Sequence, residues 1–174
     1  MNTRKIVLTL LAATPAIFAA EVADSAQVTK LLGEAKTQSF QLKEDAVTME
    51  SFNRMKVSHE LQAETINQIK DHVNTLVRTE AKLQEAAPTA SPWQKKVVRE
   101  IVPYLDELEG YTSAVIETLN GEVHHNFAEY KDYLEANADY STDLAAMIAD
   151  FVNYGQTKDR LENLKTKLEL PPSE

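Results

Sequence analysis

The chain is predicted to be all-α, an antiparallel up-down-up-down bundle of four long helices. Three observations carry that expectation. With 4 glycines and 6 prolines in 174 residues, little is available for the turns of a sheet. Apolar residues recur at alternating three- and four-residue spacing over four long stretches, and each such stripe needs a partner to bury it. The breaks between the stretches are short, which makes consecutive helices antiparallel neighbours. The length suits one domain, assigned to residues 24–170, with enough chain for a self-sufficient core.

Helix 1 is expected over 24–53. Its seam reads Val28, Leu32, Ala35, Ser39, Leu42, Ala46, Met49 and Asn53, with Phe40 and Phe52 at its edges and Asp24 or Ser25 as N-cap. The pattern breaks over 54–57, a short turn. Helix 2 is expected over 58–87, a stretch without Gly or Pro. Ser58 is its N-cap and Glu60 lies in the first turn, where the helix dipole favours an acid. Its seam is Gln62, Ile66, Ile69, Val73, Leu76, Glu80, Leu83 and Ala87, widened by Leu61 and Val77.

Helix 3, over 91–120, has the clearest start signal. Ser91 is the N-cap, Pro92 takes the first helical position and Gln94 closes a capping box. The seam runs from Gln94 through Val97, Ile101, Tyr104, Leu108, Tyr111 and Val115 to Thr118. Pro103 falls inside and predicts a kink, because it removes one backbone bond. Asn120-Gly121 ends the helix. Helix 4 is expected over 126–169, before Pro171-Pro172. Its seam runs from Phe127 through Tyr130, Leu134, Ala138, Ser141, Leu144, Ile148 and Phe151 to Gly155, then shifts to Leu161, Leu164 and Leu168. At 1.5 Å per residue it is about 64 Å long against about 45 Å for the others. It must therefore overhang or break, and the polar cluster at 137–142 is where a bend is expected.

Residues 1–20 have the layout of a secretory signal peptide. Arg4 and Lys5 precede an uncharged apolar run, Pro15 breaks it, and small residues lead to a cleavage site after Ala19 or Ala20, or a few residues on after Ala23 or Ser25. The run is short for a membrane span. The expected location is periplasmic or extracellular, with no integral membrane domain after cleavage. There is no cysteine, so disulfides, thiolate metal sites and covalent haem attachment are excluded. The formal charge of −9 becomes about −11 when Arg4 and Lys5 leave with the leader. Such an acidic surface argues against nucleic acid as a partner.

Four histidines invite a search for chemistry. The up-down topology brings the start of helix 2 to the turn between helices 3 and 4. His59, Glu60, His124 and His125 are therefore the candidate ligands of a divalent transition metal, with Glu64, Glu117 and Glu122 near. Against this, histidine is common at helix ends, and adjacent rings rarely point at one ion. A b-type haem would need Met49 or Met55 with His124, but Met49 sits at an ordinary core position. The Glu-x-x-His pairs of di-iron bundles are missing. His72 beside Val73 reads as a partly buried histidine bonded to a neighbour. No G-x-S-x-G and no Gly-rich phosphate loop occurs, and Ser58-His59-Glu60 cannot form a triad because neighbours on a helix point different ways.

Tyr104 and Tyr111 on helix 3, with Tyr130, Tyr133, Tyr140 and Tyr154 on helix 4, normally bury a ring and wet a hydroxyl. Tyr133 and Tyr140 fall off the seam, which opens the alternative of a partner-binding surface. His72-Val73-Asn74, Ser91-Pro92-Trp93-Gln94, Pro103, Asp150-Phe151-Val152 and Tyr154-Gly155 together resemble uncharacterised exported all-helical proteins of bacteria. The resemblance covers most of the mature chain and implies the bundle fold without an activity. The function expected is thus a non-enzymatic structural or protein-interaction bundle with an unknown protein partner. The alternatives are a periplasmic metal-binding or metal-sensing bundle and an extracytoplasmic stress chaperone.

Overall fold

A computed structural model describes residues 22–55, 57–121 and 127–168. The protein is an all-α four-helix bundle of α1 (Ala26–Ser51), α2 (His59–Ala86), α3 (Pro92–Leu119) and α4 (Phe127–Lys167). Two 3-10 turns, Phe52–Arg54 and Ala87–Thr89, lead out of α1 and α2. α1 packs against α2 and α4, and α3 packs against the same two helices, so the four close a ring around one core. On α3 and α4 the ring contacts run in opposite sequence order, Tyr104 with Tyr140 and Tyr111 with Tyr133. The leader assigned to 1–20, together with His124 and His125, lies outside the described residues. Among the described residues no helix is long and apolar enough to cross a membrane.

The helices start where their first polar residues can satisfy orphan amides. Ser25, not Asp24, caps α1, its Oγ accepting from the Val28 amide at 3.4 Å. Asp24 instead receives the Trp93 indole N–H. Ser58 caps α2, accepting from the Leu61 amide at 3.2 Å. At the other end of α3, Gly121 takes φ +71, a left-handed conformation that a Cβ would oppose.

All the predicted seam positions of helix 1 from Val28 to Met49 are buried, while Asn53 falls in the 3-10 turn and is half-buried. On α3 the core positions are Val97, Val98, Ile101, Leu105, Leu108, Thr112 and Val115. Tyr104 and Tyr111 are only half-buried at its edge. α3 runs on through Pro103, which is exposed.

α4 is a continuous helix of 41 residues, about 62 Å long. It is unbroken over 137–142, where two of the polar side chains face inwards and Asp139 stays exposed. Asn137 and Ser141 are buried, and the Thr112 hydroxyl donates to Asn137 Oδ1 at 3.1 Å. Tertiary packing of one face outweighs weak local helix propensity. Both ends of the predicted α4 seam differ from expectation. Phe127 is 72% exposed, and Leu161, Leu164 and Leu168 are 51%, 48% and 64% exposed. Lys158 pairs with Asp24, just before α1 begins, at 3.5 Å. Beyond that level α1 offers α4 no further turns to pack on.

Candidate functional site

His59 opens α2 and is exposed. Its Nε2 lies 3.1 Å from the carbonyl oxygen of Leu119 at the end of α3. A carbonyl only accepts, so this nitrogen carries the proton and offers no lone pair to a metal. Glu60 is also exposed, in the first turn of α2. His124 and His125 fall outside the described residues, so the predicted quartet is placed only by these two members. Among the described residues no group of three or more His, Cys, Asp or Glu side chains is positioned to hold a metal ion.

His72 is a bonded, half-buried histidine. Its Nδ1 meets Gln38 Oε1 at 3.0 Å and its Nε2 meets Asp45 Oδ2 at 3.3 Å, which ties α2 to α1. Burial raises the Asp45 carboxyl above its ordinary range, and the His72 ring partly opposes that shift.

A denser knot ties the starts of α1 and α3. Gln94 is fully buried, and its Oε1 accepts from the Ser25 amide at 2.8 Å and the Ser91 amide at 3.2 Å. Its Nε2 donates to the Ser25 carbonyl and to Thr29 Oγ1, both at 3.1 Å. Beside it the Trp93 indole donates to Asp24 Oδ1 at 2.8 Å. This knot is architectural, but it fixes Trp93 at one end of an aromatic row.

That row is the most distinctive surface feature of the molecule. Along α4, positions 133, 140, 147 and 154 are Tyr, Tyr, Met and Tyr. Seven residues are nearly two helical turns, so all four fall on one side of α4, drifting slowly around it. α3 supplies Trp93, Tyr104 and Tyr111. Trp93 meets Tyr154 edge-on with ring centroids 5.4 Å apart. Tyr104 meets Tyr140 edge-on at 6.1 Å, and Tyr111 lies 5.6 Å from Tyr140 and 6.3 Å from Tyr133. These are favourable separations for quadrupole contacts.

The rings are not sealed in. Tyr104, Tyr111, Tyr133, Tyr140 and Met147 are half-buried and Tyr154 is exposed. Met147, Asp150, Phe151 and Tyr154 line an open cleft of about 430 Å³. Carboxylates border the row. Helical spacing sets Glu100 and Glu107 along its α3 side and Asp139, Asp143 and Asp150 along its α4 side. The Glu107 charge is close enough to raise the Tyr140 phenol above its ordinary value, with burial a smaller cause. The face offers rings, phenols and carboxylates, a chemistry of contact. Met147 was missed in the sequence, although the seven-residue spacing of Tyr133, Tyr140 and Tyr154 contains the signal.

Tyr130 is the exception among the tyrosines. Its hydroxyl is buried with no hydrogen-bond partner among the described residues, and burial pushes the phenol up to about 12. The folded protein thus holds this proton more tightly than the unfolded chain, whose phenol keeps 10.0. Its contribution to stability is complete below pH 10 and is lost as pH rises through about 12. Tyr130→Phe is expected to match the wild type at pH 7 and to decline less steeply in alkali. Urea unfolding across that range checks this, and parallel curves for the two proteins would refute it.

Comparison with protein families, with curated proteins and with solved structures returns no match.

Proposed function

We propose that this chain is an exported, non-enzymatic helical bundle that acts through protein–protein contact, with the α3–α4 aromatic face as its docking surface. The supporting observation is the half-exposed row of Trp93, Tyr104, Tyr111, Tyr133, Tyr140, Met147 and Tyr154. Tyrosine, tryptophan and methionine are enriched at the centres of protein interfaces. The bordering carboxylates add steering and discrimination against acidic partners. Export to the periplasm or beyond rests on the charged and apolar layout of residues 1–20.

A stress-chaperone reading draws on a different place. Phe40 is 56% exposed beside an open groove between α1 and α4 that is lined by Ala145 and Ala149. One exposed ring supplies little capture surface.

The docking reading is tested by placing a photoreactive aromatic residue at Tyr140 or, as control, at Glu44, an exposed position on α1. Irradiation of producing cells is expected to give a discrete protein adduct from position 140 and none from 44. No adduct at 140, or the same adducts at both positions, would refute the docking face.

A further inference from the structure

The seven-residue row does not stop at Tyr154. It continues as Leu161 and Leu168, so that Tyr133, Tyr140, Met147, Tyr154, Leu161 and Leu168 form one strip along α4. The two halves of the strip differ. The first half is aromatic, packs beside α3 and is bordered by Asp139, Asp143 and Asp150. The second half lies past the Asp24–Lys158 pair, beyond the first turn of α1, and its leucines are about half exposed or more. Leu164 joins them at three-four spacing.

Charges in the second half are sorted around the helix. At about 100° per residue, Arg160 and Lys167 flank the leucines on one side and Lys165 on the other. Asp159 and Glu162 fall on the opposite face. A basic apolar strip and an acidic aromatic strip therefore sit end to end on one helix of an otherwise acidic protein.

We propose that the partner on this face is a second copy of the chain, the two α4 helices lying antiparallel about a twofold axis at the level of Val152. This rests on the docking reading of the α3–α4 face and names its occupant. Antiparallel pairing lays Leu161, Leu164 and Leu168 of each copy on the tyrosine row of the other. It also sets the Arg160 and Lys167 ends against Asp139 and Asp143, and twofold symmetry repeats both contacts. A parallel pair would set acids on acids. An anionic lipid surface fits less well, because the acidic half of the same strip would be repelled from it.

Sedimentation of the purified protein across micromolar concentrations is expected to show a monomer–dimer equilibrium. Leu164→Asp should weaken it by at least about tenfold, as truncation of a central interface anchor does. Arg160→Glu with Lys167→Glu should weaken it, as should Asp139→Lys with Asp143→Lys. All four charge changes in one chain should restore it, which only pairing of these two segments explains. The sites are exposed, and circular dichroism with thermal melting verifies that each variant is folded. A wild-type monomer at every concentration overturns the proposal, as does a dimer indifferent to these changes. A monomer whose position 140 still crosslinks to a different protein removes the second copy and leaves the docking face standing. A monomer with no adduct at 140 removes both.

Discussion

Replacing Gln94 by leucine is expected to lower the unfolding free energy by about 3 kcal/mol, measured by urea denaturation at neutral pH. The two side chains are close in volume, so the change removes hydrogen bonds without opening a cavity. Four bonds of 2.8–3.2 Å, to Ser25, Thr29 and Ser91, are lost together. At about 1 kcal/mol net each, with buried amides orphaned at the starts of α1 and α3, the sum exceeds what a surface glutamine could contribute. Gln94→Ala should cost more, since it adds a void where the side chain was fully buried. A loss under about 1 kcal/mol for the leucine variant would mean that water replaces these bonds and that the knot does not lock the α1–α3 end.

Gly155→Val should cost about 2–3 kcal/mol and release Trp93, the one tryptophan of the chain, into water. A Cβ at Gly155 would stand 2.8 Å from Trp93 Cη2 and 3.1 Å from Cζ2. The indole cannot step back freely, because its N–H is held by Asp24 and its edge meets Tyr154. A red-shifted fluorescence maximum accompanies the expected loss. Gly110 provides the contrast, with nothing within 4 Å of its Cβ position. Gly110→Ala should therefore gain up to about 1 kcal/mol from helix propensity. Gly155→Ala gives back that gain through overpacking. Equal effects of alanine at the two sites would show that Trp93 yields without cost.

These two sites show where sequence reading reaches and where it stops. The seam of α1 was legible because burial of a helix stripe depends on local spacing alone, and Val28 to Met49 follow it. Serine caps were legible for the same reason, as was the opening of α3 at Ser91-Pro92. Gln94 was legible as a capping residue but not as the clamp on Ser25, which lies 69 residues away. Gly155 was read as one more seam position, whereas what matters there is an indole from another helix. Tyr104 and Tyr111 were placed in the α3 seam because ring size mimics core character, yet a bundle edge accepts half a ring as readily. The three leucines at the end of α4 follow an apolar stripe like the others. Only the length of the neighbouring helices shows that, among the described residues, no other helix extends along them.

The candidate metal quartet follows from topology, and the described residues place only its members His59 and Glu60. The start of α2 does meet the end of α3, but the meeting is a ring nitrogen on the Leu119 carbonyl. The aromatic face, by contrast, combines a spacing visible in the sequence with neighbours supplied by the fold.

The most direct measurement of the docking face is tyrosine footprinting of the protein in place, compared with dilute purified protein. Tyr140 and Tyr154 serve as reporters on the face, and Tyr130, with its buried hydroxyl, as the internal reference. Docking predicts that both reporters react in the purified sample and are protected in cells, while Tyr130 stays low in each. Equal labelling of Tyr140 and Tyr154 in the two samples would contradict it, because a face that stays open in its own compartment is not an interface.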